Sequence, residues 1–347
     1  MDINELLKKE NLNRDEIVYL LGLSDEKEIN LLLERADEVR RIYCGDEVHL
    51  RGIIDFSNYC EQDCLYCGLR KSNKKLPRYR MTPDEVVEVA HKIINKGIFT
   101  IVLQSGEDGY YDTDQIAYII YSIKQKADVA ITLSLGERDF EEYRTWKIAG
   151  ADRYLIKHET ANPKLYAAFH ENQKLNERLE HIRFLKEIGY QVGSGNMIGL
   201  PNQTLEDIAD DILLCKEYDL DMAAFGPFIP APDTPWENKK AGDVVLTLKT
   251  MAVARIVLKD AHIPATTALA TLDEDGRIKG LKAGANVVMP DFTPSPYREK
   301  YQIYADRRCV NDNPDYCRSC LQLQIESIGR KVSSSRGDSF KLLSHKN

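Results

Sequence analysis

Apolar and polar positions follow two rhythms along this chain. Residues 1–45 keep a helical one, with Leu32, Ala36 and Val39 at i, i+4 and i+7 among charged neighbours. A β-like run at 48–56, Val-His-Leu-Arg-Gly-Ile-Ile-Asp-Phe, then predicts the first strand. After it, Thr82-Pro83-Asp84-Glu85 supplies an N-cap, a first-turn proline and a capping-box glutamate. Val86, Val89, Ala90, Ile93 and Ile94 mark one apolar helical face, which Gly97 ends. Further apolar runs lie at 99–103, 129–135, 154–156, 191–200, 222–229, 265–272 and 286–289. Helical patterns separate most of them, at 114–126, 141–149, 176–188, 205–218 and 244–261. The last crossover, 273–284, is short and glycine-rich and predicts only a weak helix.

Eight strand-like runs with helices between them predict the α/β class and a parallel (β/α)8 TIM-type barrel. Three regions are expected: a helical layer over 1–45 that plugs or covers the barrel, the barrel over 46–300, and an irregular extension over 301–347. That extension carries a cysteine segment and a helix packed on the barrel, and its polar stretch 333–337 is expected to be loose. Barrel chemistry sits at the C-terminal ends of the strands. Those positions hold Gln104, Ser105, Gly106 and Glu107, then Ser134, Lys157, His158 and Glu159, then Thr266 and Thr267.

Composition narrows the classes. The 347 residues are 43% hydrophobic and 29% charged with a net charge of −8, which suits a soluble globular chain and argues against a nucleic-acid partner. No polybasic or long apolar segment points to a membrane, and the acidic N-terminus lacks a secretory pattern, so a cytoplasmic location is expected. Eight cysteines in such a chain read as metal or redox chemistry rather than disulfides. Cys44 and Cys215 are expected in the core, His158 facing the barrel cavity, and the other histidines in caps or at the surface.

The remaining six cysteines form two clusters. Cys60, Cys64 and Cys67 follow the first strand directly. Structural zinc needs four closed ligands, and no fourth Cys or His lies at a knuckle-like spacing beyond Cys67. Three thiolates on one loop instead suit a four-iron cubane with its fourth iron open. Cys309, Cys317 and Cys320 form a second incomplete set. A further iron–sulfur cluster with a non-protein ligand and a zinc site completed by another residue both remain open for it.

The spacing Cys60-x3-Cys64-x2-Cys67, with Tyr66 before the last cysteine, resembles the signature of the radical S-adenosylmethionine (SAM) superfamily. Segments 103–108, 132–137, 158–163, 226–230 and 264–268, with the C-terminal cysteines, resemble its FeFe-hydrogenase maturase family over nearly the whole chain. Some of these are shared with methylornithine synthase and, more loosely, biotin synthase. The resemblance implies a 4Fe–4S cluster on Cys60, Cys64 and Cys67 whose open iron binds the methionine part of SAM. It implies SAM contacts from Tyr66, Ser105, Gly106, Glu107, Glu159 and Arg178. Here Ser105 departs from the family's Gly-Gly-Glu. It implies a substrate cavity lined by Gln104, Ser105, Ser134, Lys157, Met222, Thr266, Thr267 and Tyr304, where Lys157 stands in place of an arginine. It implies a dispensable second cluster, 2Fe–2S or 4Fe–4S, on Cys309, Cys317 and Cys320. The implied reaction is reductive cleavage of SAM to a 5′-deoxyadenosyl radical, which attacks a cysteine-bound Fe(CO)2(CN) precursor during assembly of the hydrogenase diiron site. The implied partners are a ferredoxin- or flavodoxin-type electron donor and the other maturases. A methylornithine synthase-like mutase and a non-enzymatic iron–sulfur carrier are the alternatives.

Overall fold

A computed structural model describes residues 2–310 and 314–344, and side chains within these except 314–317 and 343–344. Its strands are β1 (Glu47–Leu50), β2 (Gly52–Ser57), β3 (Thr100–Ser105), β4 (Ala130–Ser134), β5 (Arg153–Leu155), β6 (Gln191–Ile198), β7 (Met222–Pro227), β8 (Val287–Val288) and β9 (Lys331–Val332). β2 to β7 lie side by side in chain order, all parallel. The ring then closes through residues 262–264. Met222 pairs with His262, Pro264 with Val287, and β8 with β1. Arg51 N–H donates to Val288 O at 3.0 Å and Ile53 N–H to Pro290 O at 2.9 Å, which carries the seam on to β2. The expected barrel is therefore present, with β1 and β2 as one strand interrupted at Arg51.

Helices cover the barrel as the apolar stripes require. The capping box at Thr82 and Glu85 opens helix Pro83–Asn95, which buries Val86, Val89, Ala90 and Ile93. Thr204 and Asp207 do the same for helix Leu205–Glu217. The N-terminal region forms helices Ile3–Leu7, Arg14–Leu21 and Glu26–Cys44, and the last packs on helix Val244–Leu258. Cys44 and Cys215 are buried there, as expected.

Three expectations change. The apolar run 265–272 is not a strand: Thr266 accepts the Leu269 N–H and starts helix Thr267–Leu272. An all-apolar run has no period that separates strand from helix, so the cap decides. A further short helix, Pro163–Phe169, starts at the Asn162 cap with proline in its first turn. The stretch expected to be loose is instead the barrel floor. β9 pairs with β1, and Arg153, fully buried, donates to the carbonyls of Arg336 and Gly337 and to Asp338 at 2.7–3.0 Å. Gln191 donates to Asp338 and accepts from the Ser339 N–H. Gly337 lies at φ +60 against the His49 ring, where a Cβ would not fit. Arg336 and Asp338 of this strap are paired with barrel groups distant in sequence, Asp128 and Asp152 for the first, Arg153 and Gln191 for the second.

Burial opposes the Asp338 charge, but the Gln191 hydrogen bond and the Arg153 and Arg336 cations outweigh it and hold its carboxyl below the usual range. A group with a depressed folded pKa stabilises above its unfolded value, and that contribution is lost as the pH falls through the folded one. Asp338→Ala is expected to cost about 3 kcal/mol at pH 8 in urea denaturation of the cluster-free protein. The deficit should fade below about pH 4. A variant as stable as the parent at pH 8 would show that the strap is not held this way.

Candidate active site

The loop after β2 has no regular structure, so its backbone groups need other partners. Arg78 provides four of them, donating to the carbonyls of Asn58, Leu69, Arg70 and Asn73 on both sides of the cysteines. The middle of the loop is fixed differently. Leu65 N–H donates to Phe169 O and Trp236 N–H to Leu65 O. Tyr66 packs edge-on to Phe169 and His170 within a small apolar cluster that includes Leu165, Leu200, Phe228 and Trp236. The serine-glycine-glutamate turn after β3 closes on the loop: Glu61 N–H donates to Glu107 O at 2.8 Å. A Cβ at Gly106 would strike the Tyr59 carbonyl and Cys60, so only glycine permits that approach.

These constraints turn Cys60, Cys64 and Cys67 onto one cavity of about 310 Å³. Tyr66, Gln104, Ser105, Gly106, Glu107, Ser134, Lys157, Glu159, Arg178, Thr266 and Tyr304 line the same cavity, so most of the expected site converges. Tyr301, Ile303 and Tyr304 from the C-terminal segment roof it. Arg307 ties that segment down, donating to Asp55 at 2.9 Å and also to Asp291. Two expected cavity residues lie elsewhere. Met222 opens β7 at the floor end of the barrel, where the Arg51 guanidinium donates to its sulfur. Thr267 lines a neighbouring cavity. His158 does not face the cavity. It is fully buried, with Nδ1 2.9 Å from Ser194 Oγ and Nε2 3.5 Å from Asp211. His49 and His262 are likewise buried, at the floor.

Arg178 is the electrostatic centre of the wall. Its guanidinium lies 2.7 Å from Glu137 and 3.4 Å from Glu107, and Glu107 also accepts from Gln62 at 2.6 Å. Burial works against the Arg178 charge, but Glu107, Tyr166 and Glu137 more than offset it. Both carboxyl groups are raised, by burial first and with Arg178 pulling the other way. Glu159 sits at φ +64, and its Oε2 is buried without a hydrogen-bond partner among the described residues. Lys157 lines the cavity with no carboxylate partner among them.

Sequence reasoning missed Glu137, Gln62 and His170 as site groups. His170 caps helix Pro163–Phe169 and puts Nδ1 3.2 Å from Cys64 Sγ. Burial and then Arg178 push its pKa down to about 3, so the ring is neutral. The only local signal was the Asn162-Pro163 helix start, which fixes where the chain reaches His170.

The thiols test whether a cluster fits. Burial first, and in part their neighbours, push Cys60 up to about 11 and Cys67 up to about 12, and hold Cys64 well above the usual thiol range. Among the described residues no trio of His, Cys, Asp or Glu is drawn together round a single point. Three sulfurs spread round one cavity fit a larger polynuclear cluster, whose positive charge would favour the thiolates. The unpaired Glu159 oxygen beside them fits a ligand with hydrogen-bond donors.

Of the second set, Cys309 and Cys320 line an adjoining cavity of about 410 Å³ with Arg277, which donates to Cys309 Sγ at 3.6 Å. The side chain of Cys317 lies outside the described residues. Gln104, Ile303 and Tyr304 belong to the walls of both cavities.

Comparison with known proteins agrees with this geometry. The family model described as Radical SAM superfamily matches residues 54–215. The chain is 51% identical over 336 residues to the FeFe-hydrogenase maturase subunit HydE of Thermotoga maritima, covering 97% of this chain and 96% of that protein. It is 31% identical to 3-methylornithine synthase of Methanosarcina acetivorans, over 80% of this chain and 79% of that one. The crystal structure of methylornithine synthase (PylB) superposes with a TM-score of 0.86 at 26% identity, covering 98% and 99% of the two chains.

Arg178→Met would leave Glu107 and Glu137 buried without their cation. The expected cost is about 3–5 kcal/mol at pH 8, measured by urea denaturation of the cluster-free protein. Both folded carboxyl pKa values would then lie further above the unfolded value of about 4.3, so the deficit should shrink as the pH falls towards it. A deficit that is constant with pH would show that the loss is packing rather than charge.

Proposed function

The chain belongs to the radical SAM superfamily and, within it, to the HydE family of FeFe-hydrogenase maturases, and we propose from this that its cavity directs a SAM-derived radical at an organometallic precursor. The observation that carries the reading is the convergence of the three cysteines, the glutamates and Lys157 on one cavity of about 310 Å³. When bound, the 4Fe–4S cluster supplies the electron that cleaves the S–C5′ bond of SAM into methionine and a 5′-deoxyadenosyl radical. Cys60, Cys64 and Cys67 hold that cluster. Glu107, Glu159 and the turn at Ser105 and Gly106 accept hydrogen bonds from the polar groups of SAM, and Arg178 keeps Glu107 in place.

Beyond SAM, Ser134, Lys157, Thr266 and Tyr304 receive the substrate, a cysteine-bound Fe(CO)2(CN) unit; the radical forms a C5′–S bond to its sulfur and the substrate's own iron takes up the one electron released, becoming low-valent. Lys157 offers a point charge to an anionic group where an arginine would offer a planar fork. The sealed floor and the C-terminal roof keep water and other hydrogen donors from the radical. Cys309, Cys317 and Cys320 hold a second cluster that SAM cleavage does not need. The protein works alongside the other maturases and draws its electron from a separate reductant.

Anaerobically reconstituted protein with dithionite and SAM is expected to release 5′-deoxyadenosine, and Cys64→Ala is expected to release none. Cleavage retained in Cys64→Ala would reject the three-cysteine cluster as its source, and its absence from the parent would reject the enzyme reading and favour a carrier. Formation of methylornithine from lysine would favour the mutase. Cys309→Ser should keep cleavage within about twofold of the parent, because its cavity is separate from that of the three cysteines. A loss of about tenfold or more, read as deoxyadenosine per reconstituted 4Fe–4S cluster, would make the second set part of the radical machinery.

A further inference from the structure

The cysteine loop has an outer face as well as an inner one. Cys60 lines the inner cavity and also a surface pocket of about 520 Å³ on the opposite side of the loop. The pocket is built from Tyr59, Lys71, Lys74, Arg78, Arg80 and Tyr110, with Glu61 and Asp108 as its carboxylates. Four cations against two carboxylates make it a basic patch on a chain whose net charge is −8. Asp108 is already used by Arg80, which donates to both of its oxygens at 2.8 Å. The Arg80 guanidinium is stacked between the rings of Tyr59 and Tyr110, 3.7 and 4.3 Å from their centroids. Lys71 and Lys74 are exposed and have no carboxylate partner among the described residues. Tyr110 is 60% exposed.

We propose that this pocket is the docking face for a small acidic one-electron carrier protein, which delivers the electron through Cys60. The proposal rests on the radical SAM reading above and names the partner of that site. SAM and substrate occupy the inner cavity, so an electron arriving during turnover must cross the loop from outside. Cys60 is the residue that lines both cavities. Exposed tyrosine beside arginine is the composition of a recognition surface, and the lysine cations at its rim steer an acidic partner onto it. In the step itself the carrier is oxidised by one electron and the cluster reduced by one. No bond or proton changes place.

The test uses the full chain carrying Lys71→Glu and Lys74→Glu, with reduced flavodoxin as carrier and dithionite as a chemical reductant. Dithionite-driven SAM cleavage should stay within about twofold of the parent, because neither lysine contacts the inner cavity. Flavodoxin-driven cleavage should fall about tenfold at low carrier concentration, and its loss with added salt should flatten. Flavodoxin binding to the cluster-free chain, followed by calorimetry, should weaken by a similar factor. Equal binding and equal flavodoxin-driven rates in variant and parent would overturn the docking face. Equal loss with both reductants, with binding unchanged, would assign the lysines to the loop's own structure and overturn it too. If the parent cleaves no SAM even with dithionite, it is the enzyme reading that fails, and flavodoxin binding then judges the docking face alone.

Discussion

The structure depends on holding three sulfurs on one side of a loop that has no helix or strand to hold it. Such a loop would spend its polar backbone groups on water and leave its thiols free to move. Here the Arg78 guanidinium takes four of its carbonyls, and the serine-glycine-glutamate turn and the Phe169 carbonyl take its amides. The partners come from three separate stretches of chain. The thiol geometry is therefore only as good as the barrel that brings those stretches together.

Charge in the cavity is divided between groups that are satisfied and groups that are not. Arg178 is locked between two carboxylates and serves the wall. Among the described residues Lys157 has no carboxylate partner and Glu159 Oε2 no hydrogen-bond partner, and unpaired polar groups at a cavity are the ones left for a ligand. His170 brings a neutral ring against Cys64, so that sulfur has a hydrogen-bonding neighbour which adds no charge. Hydrogen bonds to cluster sulfurs are among the factors that set a cluster's potential.

A radical site also needs closed ends. At the floor, Arg153 draws the strap over 333–339 across the barrel by its carbonyls and Asp338. At the roof, Arg307 fastens the C-terminal segment to Asp55 and Asp291. Both closures use a buried arginine from one part of the chain and acceptors from another. Each is costly to break because the arginine would be left buried and unpaired.

Much of this was legible in the residues alone. The alternation of apolar runs and capped helical stripes specified a barrel, and the cysteine spacing at the end of its first strand specified the chemistry. Both are local patterns, and local physics is enough to read them. Thr266 as a cap, His170 beside Cys64, Glu137 on Arg178 and the ordered strap at 333–339 were not legible. The last three depend on partners tens to hundreds of positions away, whereas Thr266 caps through nearby Leu269 in a run whose pattern does not separate strand from helix. A polar residue looks the same in sequence whether water or a buried arginine satisfies it. Closing the barrel supplied those partners. It also gave the cysteine loop two faces, one on the inner cavity and one on a basic surface pocket.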